Sequence, residues 1–211
     1  MTFIQAKTLD ILFEDEYLLV VNKPSGVLSQ PGKNVDGSIA TLAHQTYPDA
    51  TGPMLVHRLD MDTSGILLLA KKRSIHRELQ QQFEKRQVSK LYTAVLTRRP
   101  DTMGGIIRLP LRLDINNRPT QVVCHEHGKS ALSIWQRVSN ATDARVMFTP
   151  VSGRTHQLRV HAAHRDGLNA AIEGDRLYGE PATRLKLHAT RLVFTHPRTH
   201  QRLAVDSAAP F

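Results

Sequence analysis

The chain has 211 residues, enough to bury a substantial core in one domain or in one domain with a deep cleft. Lys and Arg number 28 against 19 Asp and Glu, a formal net charge of +9, and that excess attracts a polyanion, either nucleic acid or an acidic membrane surface. The single cysteine, Cys124, excludes an internal disulfide framework and fits a reducing compartment.

No apolar run approaches the roughly 20 residues needed to span a bilayer, and Met1–Asp10 lacks the apolar core of a signal peptide. A cytoplasmic protein with no membrane association is expected. Nine Lys or Arg fall between Lys71 and Arg99 against Glu78 and Glu84, so the charge is concentrated; by itself this is equally a solvated basic face.

In chain order, Leu9–Phe13 and Tyr17–Val21 flank Glu14-Asp15-Glu16 and read as a hairpin. Pro24–Asn34 reads as loop. Ser38 is placed to cap a short helix running to about Tyr47, with Ile39, Leu42 and Ala43 on one face. Ile66–Ala70 is apolar without alternation, which predicts a strand covered on both sides. In Ser74–Arg86 the spacing of Ile75, Leu79 and Phe83 predicts an amphipathic helix.

Strands are then predicted at Leu91–Leu96, Gly105–Leu109, Gln121–Cys124, Ala131–Val138 and Arg145–Thr149. Arg154–His164 reads as a helix that Gly167 is placed to end. Leu187–Thr195 and Arg202–Asp206 read as the last two strands. Many strands with few helices between them argue for an α+β fold on a largely antiparallel sheet.

The most informative run is His57-Arg58-Leu59-Asp60-Met61-Asp62-Thr63-Ser64-Gly65, which sets one carboxylate, Asp60, beside a cation just before a buried strand. It resembles the catalytic motif of RNA pseudouridine synthases of the ribosomal large-subunit synthase A type. Val20-Val21-Asn22-Lys23-Pro24-Ser25-Gly26, Lys90-Leu91-Tyr92 and Gly153-Arg154-Thr155-His156-Gln157-Leu158-Arg159-Val160-His161 resemble three further motifs of that family, in family order. Gly174-Asp175 and Leu187-His188-Ala189 continue the pattern.

The resemblance implies the pseudouridine synthase fold, a long mixed, mainly antiparallel sheet with flanking helices and a central RNA-binding cleft. About 20 residues precede Val20, too few for the accessory RNA-binding domain that many relatives carry, so residues 1–211 are expected to form a single catalytic domain.

Isomerising uridine means breaking the C1′–N1 bond, rotating the uracil and rejoining it through C5. No redox change or phosphate transfer is involved, so no cofactor or metal is expected, and the chain has neither a Gly-rich phosphate loop nor Cys pairs. One carboxylate suffices, through a covalent intermediate or by assisting loss and recapture of uracil.

The resemblance makes Asp60 that carboxylate and Arg159 the guanidinium that favours its charged form; charge pattern alone favours a structural ion pair between the two. It assigns Tyr92 a stacking face for an extruded base and a hydroxyl able to assist proton removal, where a strand Tyr is otherwise core. Leu158 would pack against the uracil or serve as an apolar helix face. Arg58 would fill the space that the flipped base leaves, or else contact phosphate; His57 stands beside it as a further candidate RNA contact.

Asp62 is separated from Asp60 by one residue and, on an extended segment, would face the other way. His156, His161 and His164 suggest zinc only weakly, because no Cys or Glu completes a set.

Asp114–Gln121, followed by Gly128-Lys129, resembles the short members of the family. These act on a hairpin uridine of 23S ribosomal RNA and on an anticodon-loop uridine of several tRNAs. RNA (23S ribosomal RNA and/or tRNA) is therefore the expected partner of a monomeric enzyme, with Arg118 and Lys129 as candidate backbone contacts. The segment between His161 and Gly174 is longer than in those relatives, and Ala171 stands where they have proline, which leaves substrate preference open. The alternatives are a non-catalytic RNA-binding module, a synthase for a different tRNA or rRNA site, and a carboxylate hydrolase, for which no second acid is supplied.

Overall fold

The structure, a computed structural model, describes residues 8–32, 37–138 and 141–211. Met1–Lys7, part of the N-terminal stretch read above, and Lys33 and Asn34, the end of the expected loop, lie outside the described residues. The chain divides into two compact units, residues 1–90 with 188–210, and residues 91–187 with 211.

The first unit begins with β1 (Ile11–Glu14) and β2 (Leu18–Lys23), the expected hairpin. Its turn is set by Asp15, whose Oδ1 accepts from the backbone N–H of Tyr17 and of Leu18 at 2.7 and 2.9 Å. Helix α1 (Ile39–Thr46) starts at Ser38, whose hydroxyl accepts from Thr41 N–H at 3.1 Å, and buries Ile39 and Ala43.

Strand β3 (Ser64–Ala70) is buried at every residue, as its unbroken apolar run requires. Helix α2 (Arg73–Glu84) buries Ile75, His76 and Leu79 and packs on β3. β3 lies antiparallel to β2 and pairs on its other side, in parallel, with β10 (Leu187–Thr195), which in turn pairs antiparallel with β11 (Arg202–Asp206).

The second unit holds β4 (Ser89–Val95, from Leu91 onward), β5 (Gly104–Ile107), β8 (Ser133–Arg137) and β9 (Arg145–Pro150), paired antiparallel in the order β4-β9-β8-β5. A separate hairpin joins β6 (Leu111–Leu113) to β7 (Gln121–Val123). Helix α3 (Gln157–Ala163) packs on β7, β8 and β9. The core beneath it includes Leu109, Trp135, Phe148, Leu158 and Ile172. Both units are α+β, with sheets that are mainly antiparallel. Among the described residues no helix is long and apolar enough to cross a membrane.

Two expectations need correcting. Strand β6, three residues long, was not foreseen. Helix α3 starts at Gln157 rather than Arg154, because His156 adopts φ 53°, a left-handed conformation that cannot sit inside a right-handed helix. Its last residue is Ala163; Gly167 lies in the following turn, where an added Cβ would fall 2.0 Å from the His161 carbonyl oxygen.

Gly65, in β3, combines φ +112° with the close approach of β10: a Cβ there would lie 2.4 Å from the Ala189 carbonyl oxygen and 2.5 Å from its nitrogen. Left-handed strain and overpacking then act together. Gly65→Ala is expected to lower stability by about 2–5 kcal/mol, read as a shift of the urea unfolding midpoint; an unchanged midpoint would contradict this packing.

Candidate active site

Asp60 is half-buried in the turn that leads into β3, and its carbonyl accepts from Thr63 N–H at 3.1 Å. The segment is thus turned rather than extended, so the inference that Asp60 and Asp62 face opposite ways loses its premise.

What holds the turn is the Asn22–Gly26 motif with its sequel. Lys23 has no exposed surface, and its ammonium donates to the carbonyls of Pro24, Val27 and Met61 at 2.9, 2.7 and 2.8 Å. Gly26 N–H donates to Met61 O at 2.9 Å, and Ser25 Oγ to Asp62 O at 2.6 Å. Ser29 closes the other side, accepting from Leu59 N–H at 3.0 Å and donating to Leu59 O at 2.8 Å. The backbone is therefore gripped at the residue before Asp60 and at the two after it. Sequence reasoning marked the motif through Gly26 only as a resemblance, and it did not find Ser29, an unremarkable serine in a loop.

His57 is half-buried and spoken for: its Nε2 accepts from Leu68 N–H at 3.0 Å and its ring stacks on Phe83, centroids 4.7 Å apart. Burial first, and the Lys90 charge second, push its pKa from an ordinary 6.5 down to about 3. The accepted hydrogen bond requires the same neutral ring. Lys90 is itself pushed below the usual lysine range, chiefly by burial and then by Arg86. Arg58, between the clamped Leu59 and His57, is exposed.

In the second unit Tyr92 stands on β4 opposite Phe148 of β9, half-buried against the core. Leu158 lies in that core at 6 % exposure. Arg159, on α3, is 2 % exposed and makes a two-pronged pair with the fully buried Asp175: Nε to Oδ2 at 2.8 Å and Nη2 to Oδ1 at 2.6 Å. The role of Asp175 was missed, although Gly174-Asp175 had been noted. A buried arginine demands a buried acid, and that demand was the available signal.

Gln157 ties the turn before α3: its Oε1 accepts from Ser152 Oγ and Arg154 N–H, and its Nε2 donates to Leu132 O and Ser133 Oγ. His161 is committed to Ser133 Oγ and Leu109 O at 3.0 and 3.1 Å. Among the described residues no group of three or more His, Cys, Asp or Glu is placed to hold a metal ion.

Arg118 and Lys129 are exposed, Arg118 at the tip of the β6–β7 hairpin and Lys129 bridged to Leu111 by backbone bonds in both directions. The longer segment after His161 folds back on the unit: Ala170 N–H reaches Ala162 O, and Ile172 bridges to Leu96 with no exposed surface.

Residues 17–164 match the family described as RNA pseudouridylate synthase, a span that runs from the first unit into the second and contains Asp60, Tyr92 and Arg159. The chain belongs to this family. It is an RNA pseudouridine synthase.

It is 42% identical to the dual-specificity RNA pseudouridine synthase RluA of Escherichia coli (strain K12) over 216 aligned positions, covering 98% of this chain and 96% of the relative. Identity to the enzyme of that name from Salmonella typhimurium (strain LT2) is 45% with the same coverage. Among solved structures, human RNA pseudouridylate synthase domain containing 1 superposes with a TM-score of 0.80 at 26% identity, covering 100% of this chain and 87% of that one. Human RNA pseudouridylate synthase domain containing 4 gives 0.74 at 26% identity, covering 95% and 88%.

Two outcomes test the contacts around Leu59 and His57. Ser29→Ala removes both hydrogen bonds of the Ser29 hydroxyl to the Leu59 backbone and is expected to cost about 1–3 kcal/mol of stability together with turnover, measured by denaturant unfolding and by uridine isomerisation. For His57 the folded pKa lies below the unfolded one, so between about pH 6.5 and pH 3 the unfolded chain binds a proton that the folded chain refuses, and stability falls as pH falls. Going from pH 7 to 5 this costs up to about 2 kcal/mol, and His57→Gln, which keeps an acceptor for Leu68, is expected to flatten that slope.

Proposed function

We propose that this enzyme isomerises a hairpin uridine of 23S ribosomal RNA and an anticodon-loop uridine of tRNA, as a cytoplasmic monomer acting without membrane, metal or organic cofactor. The observation that carries the dual target is the near end-to-end similarity, at 42–45% identity, to enzymes named as dual-specificity synthases. Both units are taken as parts of one catalytic domain.

In this reading Asp60 is the nucleophile, on a turn whose backbone is clamped at Leu59, Met61 and Asp62. Such anchoring suits a group that must meet a carbon with little positional slack. Arg159 is the ion partner of Asp60, Tyr92 the stacking face for the extruded uracil, and Leu158 its apolar neighbour. Base stacking on an aromatic ring contributes about 1–3 kcal/mol, which offsets part of the cost of unstacking. Arg58 fills the vacated space. His57 supports the loop through Leu68 and Phe83 as well as lying beside the RNA path, while Arg118 and Lys129 contact the backbone.

Purified protein is incubated with unmodified tRNA and a 23S hairpin transcript, and pseudouridine is mapped. Wild type is expected to modify one loop uridine in each. Asp60→Asn is expected to lower turnover by more than about a thousandfold while keeping RNA affinity within a few-fold. Equal loss of binding would make Asp60 a support of the fold rather than the nucleophile, and modification of only one RNA would remove the dual target.

A further inference from the structure

The second unit contains a side-chain assembly that the isomerisation chemistry does not itself require. Asp175 does more than pair with Arg159: its Oδ1 also accepts from the backbone N–H of Leu177 and of Tyr178, at 3.0 and 3.2 Å. One carboxylate thus fixes a guanidinium and the start of the next turn together. The Tyr178 ring that follows lies against the guanidinium, 5.3 Å from Arg159 Cζ to the ring centroid, a cation–π distance.

The hydroxyl end of Tyr178 points elsewhere. It accepts from the backbone N–H of Gln121 at 2.7 Å and is hydrogen-bonded to His156 Nδ1, also at 2.7 Å, the two rings meeting edge to face. Gln121 is the first residue of β7, paired with Leu113 of β6. Between them the tip is organised by Asp114, which accepts from Asn116 N–H and Asn117 Nδ2, and which donates its own N–H to Thr120 O. The tip exposes Ile115, Asn116, Asn117 and Arg118. The ring itself packs on the small cluster of Leu111, Ala131 and Val160, so it bridges the hairpin and α3 by apolar contact too.

We propose that Tyr178 is a positioning residue that couples the β6–β7 hairpin to Arg159, so that RNA engaged at the hairpin tip orients the guanidinium. The inference rests on the reading of Arg159 as part of the active site and of Arg118 as an RNA contact. Its physical basis is that one rigid ring has its face on the guanidinium and its polar end on the first backbone amide of β7. A shift of the hairpin tilts the ring, and the ring cannot tilt without moving across the guanidinium.

The test is a double-variant cycle on kcat and KM, using the tRNA and 23S hairpin transcripts. Tyr178→Phe keeps the ring over Arg159 and removes the bonds to Gln121 and His156. It is expected to lower kcat/KM about tenfold, most of it as a fall in kcat. Arg118→Ala is expected to do the same, and the double variant to be no worse than the poorer single one, because both cut one connection.

Losses that multiply would overturn the coupling, as would either single variant behaving as wild type. Arg159→Ala is run alongside. If it turns over like wild type, the assignment of Arg159 falls and the coupling with it; if it is inactive while the other losses multiply, only the coupling falls. Should Tyr178→Phe unfold, His156→Asn loosens the same hydroxyl with a residue that tolerates the left-handed backbone there, and is subject to the same cycle.

Discussion

The buried ammonium of Lys23 is the constraint on which the turn carrying Asp60 depends. An unpaired charge without solvent is among the costliest things a fold can contain. Here it is met by three carbonyls, and one of them, Met61 O, belongs to the turn that carries Asp60. The turn cannot drift without stripping a cation of a partner. Ser25, Gly26 and Ser29 add bonds to Asp62, Met61 and Leu59, so that backbone rather than side chains fixes the carboxylate's base.

Arg159 and Asp175 solve the equivalent problem in the second unit by a different route. Buried ion pairs roughly break even against apolar packing, and their value lies in fixing one arrangement. The two-pronged geometry with Asp175 sets the plane of the guanidinium, and the Tyr178 ring lies against it. In both units, then, a buried cation is placed where it must be satisfied, and satisfying it orders the segment that supplies its partners.

Regular structure was largely legible in the sequence because it rests on local signals: the Asp15 turn, the Ser38 cap, the apolar run of β3 and the spacing of Ile75 and Leu79 each act within a few residues. The start of α3 was not legible, because the left-handed His156 is imposed by tertiary bonds, among them the one to Tyr178, that lie far off in the chain. Asp60, Tyr92 and Arg159 were recognisable from motifs, but their supports were not. Ser29 reaches Leu59 across 30 positions and Asp175 reaches Arg159 across 16, and neither separation has a period that could announce it.

The cations of this protein fall into two populations, and the division bears on how binding and chemistry respond to their surroundings. Lys23 and Arg159, at 0 % and 2 % exposure, have fixed protein partners and little water around them, so added salt barely reaches them. Arg58, Arg118 and Lys129 are exposed, and each phosphate contact such a residue makes releases counterions and weakens as salt rises. Raising ionic strength therefore acts on capture of the RNA while leaving the pair of Arg159 with Asp175 and the carbonyl partners of Lys23 in place. A net charge of +9 carried mostly at the surface can thus vary in strength and placement to suit one RNA loop or another, without removing the partners that the buried cations require.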